Sequence, residues 1–502
     1  MNEAIAAARQ VPASAARRRI LAGTVPLWAS AVVVLVAPFF AAFRTGGYGQ
    51  DTQVLIGGVV FALLAVVALT APWPPIRRGL PLAALASLVG YAIWTGLSTG
   101  WARVLDAAVH DTDRVAMYCG VLGLSLCVMR IPAIRRLAPP TLLGGILIVS
   151  LYSLAGRLLP HVVHEQVTSL RLSQPLTYWN AMGLFAGFGV LIGLALAGDA
   201  KRSLRMRALA CAATVPCGLA AFLTLSRGVG ASLAAGLLII VLLRRRRATL
   251  AALLVALAAI GGLAVILLVW YPDIVTVHRD ISAQVSQGAA FLPVAVAATV
   301  AAGIAYARLA RTPRARGELP ISPRTTSAIA AAVVPVVLAI AIAIAGQGKE
   351  KTEVPSTASR ITRVETVRGH YWRVALAAFA RHPLAGVGSA SFAVEWARHR
   401  GHDFPAIDAH SIYIETLAEL GLVGAALLLA FFAILAIGTA RAARTAPRDA
   451  TVAAAAGVLA AFAVHIGLDW DWEMPAVSLI ALILGAAILQ PGVARASLLS
   501  RS

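Results

Sequence analysis

The chain is predicted to be an all-α integral membrane protein: a polytopic bundle of about 12–14 transmembrane helices with one large extracytoplasmic loop containing short helices. Three observations predict this. Hydrophobic residues make up 59% of the 502 positions and charged residues only 13%, with a mean hydropathy of +0.81, values foreign to soluble domains and disordered chains alike. Apolar runs of roughly 18 to 22 residues recur from Thr24 to Leu489, each able to cross about 30 Å of hydrocarbon as a helix rising 1.5 Å per residue. These runs are too long, and too little alternating, for membrane strands. The basic residues, finally, are biased toward every second loop.

The spans centre near Val33, Leu63, Ser87, Val121, Ile146, Gly187, Ala213, Gly236, Val255, Ala298, Val334, Leu427, Val458 and Ile480. Arg17, Arg18 and Arg19 precede the first. That span is full length and no A-x-A-like cleavage site follows it, so it is read as a retained helix and not a cleavable signal. Lys and Arg are held back on the cytoplasmic side of a membrane, which places the N-terminus inside. The inside loops then carry Arg77 and Arg78, Arg130 with Arg135 and Arg136, the basic groups of 201–207 and 244–247, those of 308–324, and Arg441 to Arg448. With both termini they hold 27 of the 43 basic residues and four of the 22 acids. The net charge of +21 is therefore an orientation signal meeting anionic lipid headgroups, not the footprint of a nucleic-acid partner. Ala and Gly recur throughout the spans, as close helix packing in lipid requires.

Four segments follow from this pattern: N-terminal spans over 1–170, central spans over 171–345, an extracytoplasmic polar segment over 346–412, and C-terminal spans over 413–502. The polar segment holds nine of the 16 basic residues outside the cytoplasmic set, so chemistry is sought there first. The cysteines, Cys119, Cys127, Cys211 and Cys217, all fall within apolar spans and read as small buried hydrophobes. His161 and His164 near Glu165 lack further ligands close by in sequence, and no metal site is assigned. Gly386-Val387-Gly388 lacks the strand and third glycine of a dinucleotide fingerprint and reads as a turn. The sequence Asp469-Trp470-Asp471-Trp472-Glu473 reads as an aromatic interface belt with its acids among headgroups.

Charge beside hydrocarbon is costly and is usually kept for a purpose. Three places stand out: the turn Leu225-Ser226-Arg227-Gly228, the approach over 171–180 beginning at Arg171, and the polar segment with Arg360, Arg363, Arg368 and Arg373, ending at His410. As plain structure, Arg227 and Arg171 are snorkelling anchors. The arginines of the polar segment are then a solvated helix face paired with Glu350, Glu353 and Glu365.

The order His382-Pro-Leu-Ala-Gly-Val-Gly-Ser-Ala-Ser-Phe392, then Ala409-His410-Ser411 leading into Tyr413-Ile-Glu-Thr-Leu-Ala-Glu-Leu-Gly-Leu-Val-Gly424, resembles the signature of the O-antigen ligase and polymerase family. The Ser226-Arg227-Gly228 turn and the 171–180 approach are similar to upstream elements of that family. Arg368 with Trp372 resembles its Arg-x-x-x-Trp entry to an outer helix. The chain departs in carrying Ser411 where the family usually has Asn after the histidine, and in showing fourteen spans where a dozen or so are common. The resemblance implies an inverting, metal-independent and cofactor-free glycosyltransferase of the all-helical GT-C type in the inner membrane. Its donor would be a glycan on a polyprenyl diphosphate, and its acceptor another glycan.

The residues suit that chemistry. Guanidinium forks match phosphate oxygens bidentately without a cation, and Arg227, Arg360, Arg363, Arg368 and Arg171 are the candidates for holding the donor diphosphate. An imidazole titrating near neutrality can orient a hydroxyl and accept its proton, and His410 is the candidate base. Two other classes compete: a multi-span solute transporter, in which intramembrane charge marks a permeation route, and a non-catalytic scaffold for envelope assembly. No inverted repeat or pair of broken spans favours the transporter.

Overall fold

The structure, a computed structural model, describes residues 13–71, 76–163, 171–275, 281–319, 322, 325, 368–401, 405–447 and 449–490. Among these the regular structure is helical. In chain order the long helices are α1 (Ala13–Ala42), α2 (Gln50–Thr70), α3 (Leu80–Ser98), α4 (Leu105–Val128), α5 (Pro132–Leu158), α6 (Trp179–Ala197), α7 (Leu204–Leu223), α8 (Arg227–Arg244), α9 (Arg247–Trp270) and α10 (Ile281–Arg311). After the polar segment come α11 (Arg368–Arg381), α12 (Phe392–His399), α13 (Ile412–Thr445), α14 (Ala450–His465) and α15 (Pro475–Leu489).

Thirteen of the fourteen predicted span centres fall inside these helices, and the fourteenth, Val334, lies outside the described residues. Among the described residues, ten helices are long and apolar enough to cross a membrane. The exceptions among the thirteen are informative. Helix α4 carries His110, Asp111, Asp113 and Arg114 in its first turns, while α14 and α15 have 16 and 15 residues, about 24 and 22 Å at helical rise. All three face protein instead of lipid: α14 and α15 are buried almost throughout.

Helix α6 is the hub. It is buried along its whole crossing and packs on α5, α7, α8 and α14. Its composition explains this, because it is apolar all round and carries Gly183, Gly187, Gly189 and Gly193 where neighbours press in. A methyl group at Gly187 would strike Leu233, and one at Gly193 would strike Thr214 and the Ala210 carbonyl. Small residues are what let membrane helices approach this closely. The four cysteines are buried and unpaired, as their apolar setting led one to expect.

The loops grouped together by charge are found together. Arg135 bonds Asp449 at 2.8 Å, Arg202 donates to the Arg136 carbonyl at 3.0 Å, and Arg244 donates to the Gly198 carbonyl at 2.6 Å. The links at the other ends of these helices carry the polar segment and the candidate site.

That segment has its own small core. One face of α11 buries Tyr371, Trp372, Ala375 and Ala378 against Val387, Phe392, Trp396, Ala409 and Ala418. The glycines of 386–388 form the expected turn, with positive φ of 69° at Gly386 and 95° at Gly388. The turn lies flat on α13: Val387 N–H donates to the Ala418 carbonyl at 3.0 Å and Gly388 N–H to the Glu419 carbonyl at 2.8 Å. A side chain on Gly386 would collide with the Glu419 backbone. Helix α13 answers with a break at Gly421, whose φ of 64° and ψ of −161° are not helical. The break lets Leu422 N–H donate to the Pro383 carbonyl at 2.8 Å. The Glu419 carboxylate then accepts N–H groups from both Ala390 and Phe392 at 2.8 Å. The conspicuous motif from His382 to Gly424 is therefore, in large part, a clasp between one loop and one kinked helix.

Candidate active site

The site forms where the starts of α6, α8, α11 and α13 meet the link over 466–474. Because α14 and α15 are short, that link sits sunk among other helices. Asp469 is 1% exposed, Asp471 0% and Glu473 6%. The aromatic-belt reading of 469–473 is thus overturned: these acids lie inside protein, held by partners, and Trp472 is buried against Tyr118.

Asp469 is the centre. It accepts Tyr178 O–H at 2.7 Å, an N–H of Asn180 and the Arg368 guanidinium at 2.6 Å. Burial opposes its ionisation, but Arg368, His410 and His465 outweigh this and hold its carboxyl below the usual range. Trp470 stacks on Tyr178 with ring centres 4.4 Å apart. The 171–180 approach therefore contributes Tyr178 and Asn180 to the site as hydrogen-bond donors, beyond the anchoring foreseen for its aromatic residues.

His410 stands just before α13 with a φ of 56°, a left-handed conformation uncommon outside glycine that local structure has to impose. The imposition is visible. Glu415, in the first turn of α13, accepts the Ala409 N–H at 2.6 Å, and Ile412 N–H donates to the Ile466 carbonyl at 2.9 Å. The imidazole lies 5.1 Å from the Tyr371 ring and its Nδ1 is 3.1 Å from the Asp408 carbonyl. A proton on Nδ1 satisfies that carbonyl and leaves Nε2 with a lone pair. Burial pushes the His410 pKa down, against the pull of Asp469 and with the help of Arg368, so the ring is neutral at pH 7. The Ser411 hydroxyl is buried with no hydrogen-bond partner among the described residues; His410 is oriented by backbone, not by its neighbour.

The arginines converge on the same place. Arg227 opens α8, with Ser226 capping the helix by accepting Val229 N–H at 3.4 Å, and its guanidinium is near enough to Arg368 for the two to repel. Arg171 donates to the Leu225 carbonyl at 3.1 Å and lies 5.2 Å from the Trp179 ring, bracing the Arg227 turn from behind. Arg360 and Arg363 lie outside the described residues, as do Glu350, Glu353 and Glu365. Of the predicted candidates, His410, Arg368 and Arg227 are brought together and Arg171 is their neighbour.

Sequence reasoning missed Asp469, Tyr371 and the pair His465 and Asp471, an imidazole and a carboxylate in direct contact and both fully buried. For all but Tyr371 the signal was available: three acids and a histidine between two apolar runs too short to span a bilayer.

A second polar group lies beneath. Oxygens of Asp408, Glu415 and Glu473 lie within 4.8 Å of one another, close enough to share a cation or a proton. Burial, then mutual repulsion, raises the Asp408 pKa, and burial raises that of Glu473 despite Arg114. These are the conditions under which carboxyls share protons. Arg114 meets Asp111 at 2.7 Å and Glu473 at 3.6 Å.

Residues 212–429, which include α8, the polar segment and the first half of α13, match the family model described as O-antigen ligase. Over this stretch the chain is similar to the O-antigen ligase family. No curated protein matches it. With this many long apolar helices it is a multi-span membrane protein. The matched stretch contains Arg227, Arg368 and His410, whereas Arg171, Tyr178 and Asp469 come from outside it.

Proposed function

We propose that this protein, similar over residues 212–429 to the O-antigen ligase family, transfers a glycan from a polyprenyl-diphosphate carrier to a hydroxyl of an acceptor glycan at the extracytoplasmic face of the cytoplasmic membrane, with inversion and without a metal. The observation that carries this reading is the convergence of two mutually repelling guanidiniums, Arg227 and Arg368, beside one neutral imidazole, His410. Two cations within electrostatic reach of each other favour an anion beside them, and a diphosphate is a doubly charged leaving group. Arg360 and Arg363 belong to the same proposal as further diphosphate ligands, and Arg171 as the brace of the Arg227 turn.

In the proposed step the acceptor oxygen attacks the anomeric carbon from the face opposite the diphosphate. The new glycosidic C–O bond forms as the bond from carbon to phosphate oxygen breaks, and the electron pair leaves on the polyprenyl diphosphate. His410 Nε2 takes the hydroxyl proton, and Asp469 stabilises the imidazolium that results. Arg368 is shared between Asp469 and the departing phosphate. The positive loops at the opposite end of the bundle support an extracytoplasmic site.

The test is direct. Purified protein in proteoliposomes, given lipid-linked glycan and a glycan acceptor, is expected to consume the donor and yield an elongated acceptor of inverted anomeric configuration. Accumulation of labelled solute with the donor untouched would assign transport instead.

A further inference from the structure

We infer that the face of α11 turned away from Arg368 is a binding groove for an anionic glycan, a segment of the acceptor bearing carboxylate or phosphate groups. Helix α11 divides its residues by face. Tyr371, Trp372, Ala375 and Ala378 are buried, and Arg368, on the same side by helical spacing, reaches Asp469. His370, Arg373, Val374, Ala377 and Arg381 fall on the opposite face at spacings of three and four residues. Together with Trp396, His399 and Gly401 they line a cavity of about 460 Å³, within the size range of small-ligand sites.

Its charge is one-sided. Between Arg368 and Gly401 the chain has five arginines and three histidines against one acid, Glu395. That acid is 3% exposed and engaged by Arg381, with His399 at 3.6 Å, so it does not offset the cations toward solvent. Arg373 is exposed and meets the His370 ring at 2.7 Å, setting a guanidinium and an imidazole side by side at one place in the groove. Such an arrangement favours anions over neutral or cationic ligands.

Position argues for the acceptor. The groove and the candidate site lie on two sides of one helix, about 10 Å through, so a chain lying in the groove brings its end round the start of α11 to His410. The assignment to the acceptor rests on the glycan-transfer reading; the charge class of the ligand does not.

The experiment is equilibrium binding of a fluorescent hexameric oligogalacturonide to the full protein in nanodiscs of zwitterionic lipid, with maltohexaose as the neutral control. The charged hexamer is expected to bind, more weakly as salt rises, and the neutral one not. His370→Gln with Arg373→Gln is expected to weaken binding by about tenfold, the scale for losing one or two screened charge contacts, while the elution volume and melting temperature stay unchanged. His410→Ala is expected to bind as wild type, which separates this site from the chemistry. Equal binding of the two hexamers, or an unchanged affinity in the double variant, would overturn the groove even if transfer proceeds. Displacement by phosphatidylglycerol vesicles and not by free galacturonate would overturn it in favour of a lipid headgroup site.

Discussion

Two polar regions occupy the same end of this molecule and are built in opposite ways. The outer one, spread over the starts of α8 and α11 and the face of α12, is cationic and partly open, with Arg368 23% exposed and its partner Asp469 2%. The inner one is a group of five carboxyl residues, Asp111, Asp408, Glu415, Glu419 and Glu473, around a single arginine, Arg114, that is 4% exposed. The inner group spends its oxygens on the protein itself: Glu419 on two backbone N–H groups, Glu415 on Ala409, and Asp111 on Arg114 and the Ser389 hydroxyl at 2.8 Å. The outer group gathers like charges, Arg227 and Arg368, within electrostatic reach of each other. The difference teaches that buried acids here fix a loop in place so that exposed cations can be aimed. Substitutions should accordingly separate into those that alter turnover and those that alter stability.

The largest expected effect is on chemistry. His410→Ala should lower transfer by about 10² to 10⁴, the usual contribution of a positioned general base, without lowering the melting temperature of the purified protein. The pH profile supplies an independent check. Because burial pushes the His410 pKa down, the neutral, proton-accepting form prevails at pH 7. Turnover should then fall only as pH drops below about 6.5, the ordinary histidine value, and that acid limb should be absent from the residual activity of the alanine variant. Arg368→Lys comes next. An ammonium keeps the charge but cannot bind Asp469 and a phosphate oxygen as a fork does. A loss of about tenfold or more in turnover is expected, measured with donor at saturation, and wild-type rates would return Arg368 to a purely structural ion pair.

Much of the fold was legible because hydropathy and charge bias are properties of single segments. A helix in lipid must satisfy its own backbone and be apolar for about 20 residues, and loops retain positive charge on one side. The candidate site was legible only where a residue is polar against its surroundings, as Arg227 and His410 are. Asp469 was not, since it opens the stretch Asp469-Trp470-Asp471-Trp472-Glu473, which fits a membrane interface equally well. Only the shortness of α14 and α15 reveals that the link is sunk. The clasp from Glu419 to Ala390 and Phe392 spans 27 to 29 residues and depends on the break at Gly421, a tertiary fact that no local pattern contains.

On the stability side, Glu419→Ala strips acceptors from two buried N–H groups. Leaving such donors unsatisfied costs about 1–3 kcal/mol each. Its expected signature is a lower melting temperature in detergent, with turnover per folded molecule retained. A variant that melts like wild type yet loses turnover would move Glu419 from the inner, structural group to the outer, chemical one.

The smallest expected effect is none at all. Asp408, Glu415 and Glu473 lie close enough for a divalent cation, but carboxyls this close can share a proton instead, and Arg114 is 3.6 Å from Glu473. A proton shared among these carboxyls, with one guanidinium alongside, meets the charge requirement that a cation would otherwise meet. The diphosphate, for its part, has arginines to receive it. Treating the reconstituted protein with a chelator should therefore leave donor consumption unchanged, and adding back magnesium or calcium should not raise it. A loss reversed by one cation, and abolished by Glu473→Gln, would make the inner group part of the chemistry and erase the division between the two regions.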